Sequence, residues 1–400
     1  MSSATVGAAR RLAAPVYSPW FGMSMCVGMV AVALPLYLED IDVGYLALSA
    51  VLAAVGLGSA VGGIPAGDRV SRFGPSRIIL IGAVTIAVTT LLVGFSRDAL
   101  VLIALQFLAG VGAIAMRIGG QTWITVTAPA SQRGRLLSTL GGIRRFGMFA
   151  GPFVAGVCIQ AFGFTTTFVV AGVLAVIGLA PNLGVTDPGP GPAPERVSLL
   201  SVLATHWRRL LIAASGPVLI MVARRGRSIV LPLIGVELNL SPAEVGLLVS
   251  VGAGADLLLF PVAGYLMDRF GRLKAIVPAF CLMAAGLFLL AAADSGTAVV
   301  IAGSVIGVGN GLSAGTMLTL GSDLAPEEST SQFLAGFAAL QDWGQILGPL
   351  LVGWIAAAIG LGASAAALGV VLLVGVGLIV VTVGETGGGR AGSVAQSPAS

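Results

Sequence analysis

From Trp20 to Val383, apolar stretches of about 20 residues alternate with short segments that collect most of the Arg, Gly and Pro. A helix rises 1.5 Å per residue, so about 20 residues match the roughly 30 Å hydrocarbon core of a bilayer. The pattern therefore predicts serial membrane-spanning helices at 18–38, 45–67, 77–95, 99–126, 136–160, 164–184, 209–236, 243–267, 274–293, 297–320, 331–357 and 362–383. That is twelve spans, numbered here helix 1 to helix 12, with six on each side of a break.

The break is Asp187-Pro-Gly-Pro-Gly-Pro-Ala-Pro194, a stiff run that no helix can cross. It predicts an N-terminal six-helix bundle over 1–186, a cytoplasmic linker over 187–207, a C-terminal bundle over 208–384 and a disordered tail over 385–400. Within the linker, Val197 to Leu203 is amphipathic and suits the membrane surface. The first apolar segment is long enough to span and no small-residue cleavage site follows it, so it is expected to stay as helix 1.

Composition sharpens this picture: 56% of the 400 residues are hydrophobic and only 10% are charged, too few charges to cover a water-soluble surface. Basic residues set the orientation. With the N-terminus inside, the cytoplasmic segments carry Arg10, Arg11, Arg69, Arg72, Arg77, Arg133, Arg135, Arg196, Arg208, Arg209, Arg269, Arg272, Lys274 and Arg390. The opposite loops hold Arg97 and the acids Glu39, Asp40, Asp42, Asp98, Glu237 and Asp294, so both termini are expected in the cytoplasm. This anchoring accounts for the net charge of +4, which implies no nucleic-acid partner.

The chain also repeats itself. Leu38 to Gly74 lines up without gaps on Gly235 to Gly271, an offset of 197 residues. The same offset carries Leu34-Pro35-Leu36 onto Leu231-Pro232-Leu233, and Gly147, Gly151, Pro152 and Gly156 onto Gly344, Gly348, Pro349 and Gly353. One offset surviving across a whole half means duplication, and parallel six-helix halves are a transporter architecture with a site near the midplane between them.

These residues resemble the major facilitator superfamily. Its signature after helices 2 and 8, Gly-x3-Asp-Arg-x-Gly with basic residues following, is matched in the second half by Gly264, Asp268, Arg269, Gly271, Arg272 and Lys274. The first half keeps Gly67, Arg72, Gly74 and Arg77 but has Ser71 where Asp is expected, with Asp68 one turn earlier. The resemblance implies a cytoplasmic gate in these loops, which pack against helix 11. Asp323, Glu327 and Glu328 precede that helix and either offer the loop arginines an alternative partner or simply favour the positive N-terminal end of the helix.

The Gly147-x3-Gly151-Pro152-x2-Ala155-Gly156 run of helix 5 resembles the Gly-Pro motif of drug and proton antiporters, although Ser138 and Ala155 replace customary glycines. Its recurrence in helix 11 leaves two readings open, an exporter mark or symmetric packing. The antiporters' arginine in helix 4 is replaced by Gln106. By resemblance the fold is all-α and integral to the membrane, with two pseudo-symmetric six-helix bundles.

Ionisable side chains inside a span cost about 2.5–3.5 kcal/mol each and face a cavity or a partner. Eight fall there: Arg117 in helix 4, Arg144 and Arg145 in helix 5, Arg224, Arg225 and Arg227 in helix 7, Asp256 in helix 8 and Asp342 in helix 11. Helix rise puts Asp256 and Arg144 about 18 and about 14 Å from the cytoplasmic edge, near one level. Helices 5 and 8 are neighbours in the superfamily, so Asp256 is expected to pair with Arg144 or Arg145, as a proton-sensitive latch or as a permanent structural pair; Asp342 is the reserve coupling acid.

Helices 1, 4, 7 and 10 line the superfamily's cavity, which places Arg117, Arg224, Arg225, Arg227, Gln106 and Asn310 beside substrate and suits an anionic or amphiphilic solute; the arginines could instead snorkel to the interface. Cys26, Cys158 and Cys281 all fall in spans, and His206 is the only histidine. Metal sites, cofactors and His-based catalysis are not expected, and no enzyme motif is present.

The expected protein is thus a monomeric secondary transporter in a bacterial cytoplasmic membrane, coupled to protons and exporting its solute. A facilitator, an importer of a polar metabolite, and a non-transporting sensor or scaffold remain as alternatives. If the topology is right, single cysteines placed near Gly191 and near Ser295 should label from opposite sides of the membrane. Labelling of both from one side would contradict it.

Overall fold

The computed structural model describes residues 16–182, 199–326 and 330–384. The Pro-Gly linker, the tail, Glu327 and Glu328 lie outside the described residues, as do the side chains of Ser71 and His206. The described chain is helical: α1 Ser18–Asp40, α2 Gly44–Phe73, α3 Pro75–Val93 and α4 Ala99–Thr127, followed by one run over Ala130–Leu179. Gly163, at φ 80 and ψ 176, bends that run into α5 (130–162) and α6 (164–179), a conformation that glycine alone adopts freely.

The second half holds α7 Leu199–Glu237, α8 Pro242–Phe270 and α9 Arg272–Ala291. Next comes α10 in two pieces, Gly296–Leu312 and Thr316–Leu324, then α11 in two pieces, Thr330–Asp342 and Gly344–Ala358, and α12 Leu361–Thr382. Nine of these helical runs are long and apolar enough to cross a membrane by length and composition, one of them covering both α5 and α6. The α7 and α11 helices fall outside that group; α7 carries five arginines between 208 and 227, and α11 is interrupted at Trp343. The linker stretch expected on the membrane surface is, from Leu199 onward, the first turns of α7.

Local chemistry explains the ends. Asp98, Ser241 and Ser295 cap α4, α8 and α10 by accepting hydrogen bonds from first-turn amides, and Ser241 forms a full capping box with Glu244. All three caps lie at one end of the bundle. At the other end, Gly74 (φ 82) and Gly271 (φ 99) turn α2 into α3 and α8 into α9 in matching positions of the repeat.

The two halves meet along two seams related by the duplication, α5 against α8 and α2 against α11. Gly147 and Gly151 of α5 pack on Ser24, Met25 and Gly28 of α1, and their repeat mates Gly344 and Gly348 pack on Met221, Val222 and Arg225 of α7. Gly156 then faces Pro242 and Gly246 of α8 across the seam, while its mate Gly353 faces Tyr45 and Ser49 of α2. Symmetric packing is what the glycines of this motif visibly do, the close helix approach that small residues permit in lipid.

The seams part along their length. Gly264 lies five turns from Gly246 on the same face of α8, yet a Cβ there would meet nothing within 4 Å. The same holds for Gly67, three turns from Gly56 on α2, and for Gly142 on α5. The bundle is therefore closed at the end that carries the caps, where the Tyr45 hydroxyl donates to Glu237 Oε1 at 3.3 Å, and open between the halves at the other.

A Cβ on Gly156 would sit 2.4 Å from the Pro242 carbonyl oxygen, so Gly156→Val should pry the closed end apart. Overpacking of this kind costs about 1–3 kcal/mol. A cysteine at Ser49, 2% exposed on the other seam, should then react with a membrane-impermeant thiol reagent several-fold faster. An unchanged rate would mean that the Gly156 contact does not hold this end shut.

Candidate functional site: a charged cavity between the halves

The ionisable side chains of the spans meet where the seams separate. Arg145 lies 11 residues before Gly156 and Asp256 lies 10 after Gly246, so both sit about 15 Å from the tight contacts. Arg145 Nε approaches Asp256 Oδ2 at 3.4 Å, an ion contact across the halves. Asp256 also accepts a hydrogen bond from Asn310 Nδ2 at 3.1 Å, and the Arg145 guanidinium lies 4.1 Å from the centre of the Phe260 ring. Side-chain exposures of 17% and 20% leave this pair within reach of the opening.

The second pair has the same polarity, with its cation from the N-terminal half and its anion from the C-terminal half. Asp342, the repeat mate of Arg145, comes from the C-terminal half and meets Arg117 Nη2 of the N-terminal half at 3.7 Å. Its other carboxylate oxygen accepts from Gln345 Nε2 at 2.5 Å. This pair is the more open of the two, at 46% and 30% exposed. The N-terminal half thus contributes both cations and the C-terminal half both anions, and neither carboxylate is left bare in a low-dielectric setting.

Three arginines of α7 complete the cavity. Arg224 Nη2 donates to Ser313 Oγ at 2.5 Å and lies near the Ser313 carbonyl at 3.3 Å, with its guanidinium 5.3 Å from the Phe280 ring centre. Ser313 is available because α10 breaks there: Gly315 adopts a left-handed conformation (φ 79) and interrupts the ladder. Broken backbone at membrane depth persists where polar groups of the protein satisfy it, as Arg224 does here. Arg225 is exposed, its stem packed on Gly348 of α11, and Arg227 is half-buried.

Among the described residues, Arg144, Arg225 and Arg227 have no carboxylate within 4 Å. The Nε atoms of Arg224 and Arg227 are buried without an acceptor. With two acids against six arginines, the cavity keeps a surplus of positive charge.

Several expectations need adjusting. Asp256 pairs with Arg145, while Arg144 is exposed and within electrostatic reach of Arg145, Asp256 and Arg117. Gln106 is only 4% exposed, buried in helix packing, and so offers almost no surface to the cavity. The residues missed from sequence are Ser313, Gln345 and Phe260, and only the Gly311-Leu-Ser-Ala-Gly315 run hinted at the break that exposes Ser313. A separate hollow of about 340 Å³ at the closed end, lined by Tyr37, Asp40, Arg97 and Phe164, contains none of these groups.

The signature loops lie at the open end, each engaged within its own half. Arg72 pairs with Asp68 at 3.3 Å. Arg272 meets Asp323 at 2.9 Å and Asp268 at 3.9 Å, and donates to the Met267 carbonyl at 3.2 Å. Arg269 donates to the Tyr265 hydroxyl at 2.7 Å, and Arg77 and Lys274 are exposed. Asp323 closes the second piece of α10 and binds its loop arginine inside the C-terminal half.

Twelve helices among the described residues, two pseudo-symmetric bundles and a charged cavity open at one end define a multi-pass membrane protein of the two-bundle class. The family model of the Major Facilitator Superfamily matches residues 21–224 and again 213–399, and the chain belongs to that superfamily. It is 33% identical over 184 residues to the uncharacterized MFS-type transporter Rv1250 of Mycobacterium tuberculosis, covering 43% of this chain and 32% of that protein. It is 32% identical over 151 residues to the bacillibactin exporter of Bacillus subtilis, covering 35% and 37%. The matches thus span about a third of these relatives' length. The fold is shared with the crystal structure of the nucleoside transporter NupG, with a TM-score of 0.76 at 11% identity over 93% of this chain and 97% of that one.

Proposed function

We propose that the chain is a secondary transporter that carries a small anionic solute by alternating access and couples its movement to protons at Asp256. The carrying observation is the Arg145–Asp256 pair, which spans the two halves at the level where the cavity opens. Opening and closing the two ends in turn must remake contacts at that level, so a titratable bond there links charge to conformation. The positive-inside pattern supports an opening toward the cytoplasm. A bacterial cytoplasmic membrane and a monomer, in which one chain supplies both halves of the cavity, complete the reading.

The sign of the coupling follows from the pair. Ionised, Asp256 occupies the Arg145 guanidinium; protonated, it releases that cation to a solute anion. Linkage is reciprocal, so an anion that takes Arg145 and a proton that takes Asp256 replace the same ion contact together. Proton and anion then ride together, and an inward proton gradient drives uptake, unlike the export expected from the sequence. Export is the second reading, favoured by the likeness to the bacillibactin exporter.

Proteoliposomes loaded at neutral pH and given an acidic exterior test this with a labelled carboxylate. The unmodified protein should accumulate it, and Asp256→Asn should abolish the gradient-driven part while sparing counterflow. Asp342→Asn, on the more exposed pair, should leave more of the gradient-driven part than Asp256→Asn does. Gradient-driven efflux would establish the export reading, and full drive in Asp256→Asn would remove Asp256 from the coupling.

A further inference from the structure

The six arginines of the cavity differ in what holds them. Arg117 and Arg145 each face a carboxylate, which a solute anion would have to displace. Arg144, Arg225 and Arg227 face no carboxylate within 4 Å, and among the described residues no hydrogen bond fixes their guanidinium groups. Arg224 differs from both sets, because it is fixed and its hydrogen-bond partners are neutral. Its Nη2 donates to Ser313 Oγ at 2.5 Å, and Ser313 is wholly buried. The Ser313 hydroxyl donates in turn to the Asn310 carbonyl at 2.8 Å, and the Ser313 carbonyl accepts from Thr316 Oγ1 at 2.7 Å. The break in α10 therefore pins this serine on both sides.

The remaining terminal nitrogen of Arg224, Nη1, makes no hydrogen bond among the described residues and, unlike Nε, is not shut away from solvent. We infer that Ser313 is a positioning residue that holds Arg224 as the anchor for the solute's anionic group, with Nη1 free to donate to it. This deepens the anion-carrier reading and rests on it, adding a cation that needs no proton to become available. A neutral hydroxyl leaves the charge of the arginine unspent, so a solute anion gains a charge-assisted hydrogen bond without displacing a carboxylate. A guanidinium already held in one geometry also loses less rotamer freedom on binding than a free one. Asn310 ties the anchor to the proposed proton site, since its side chain donates to Asp256 Oδ1 at 3.1 Å while its carbonyl holds Ser313.

Calorimetric titration of the purified full chain with acetate, benzoate and octanoate tests the inference. At least one of the three should bind the unmodified protein. Arg224→Gln should weaken the tightest of them about tenfold or more, the scale of a hydrogen bond to a charged group, and Ser313→Ala about threefold to tenfold, the scale of an ordinary one. Ser313→Thr, which keeps the hydroxyl, should restore most of the affinity. Ser313→Ala should cost nothing further in an Arg224→Gln background, an interdependence that a merely structural serine would not show. Unimpaired binding in Arg224→Gln or in Ser313→Ala, or an equal loss from Ser313→Ala in both backgrounds, would overturn the positioning role and leave the anion-carrier reading standing. Absence of binding of all three carboxylates by the unmodified protein, a measurement that needs no variant to fold, would overturn both.

Discussion

A charge in the middle of a membrane protein must be paired or hydrated, and this chain carries eight such groups in its spans. The arrangement of the cavity follows from that constraint. Arg145 with Asp256, and Arg117 with Asp342, bind the halves to each other, each by an arginine of the N-terminal half and an aspartate of the C-terminal half. Because both pairs cross the boundary between the halves, the proposed movement of one half against the other would have to break them or hand them to another partner. Their partial exposure makes the exchange feasible, since water or a solute can reach the groups as they separate.

Packing decides where the cavity lies along the bundle. Gly156 against Gly246 and Gly353 against Ser49 bring backbones together at one end, and these contacts repeat because the halves descend from one duplicated sequence. At the other end Gly67 and Gly264 stand in open space, and the signature loops spend their charges on Asp68, Asp268 and Asp323 of their own halves. Closing that end would bring Gly67 and Gly264 into the roles that Gly56 and Gly246 hold now.

Much of this was legible in the sequence, for reasons of period and depth. The span pattern gave the helices, the offset of 197 gave the two halves, and helix rise put Asp256 level with Arg144 and Arg145. Side-chain direction was harder to read. Nothing in the local pattern distinguishes Arg145, which meets Asp256, from Arg144, because adjacent positions differ by about 100° around the helix. Gln106 stood where the antiporters carry an arginine, but its face of α4 is buried. The break in α10 depends on Gly315 adopting a positive φ, which the neighbouring glycines left undetermined, and with it went the role of Ser313.

The most direct test of the account is a double-mutant cycle on the pair that joins the halves. Arg145→Gln, Asp256→Asn and the double variant would be compared with the unmodified protein for thermal stability and for carboxylate affinity. Removing one partner strands the other charge, so each single change should cost stability and the double variant should recover part of it, a coupling of about 1–3 kcal/mol. Additive losses, with no recovery in the double variant, would mean that Arg145 and Asp256 act independently and that the halves are not linked through them.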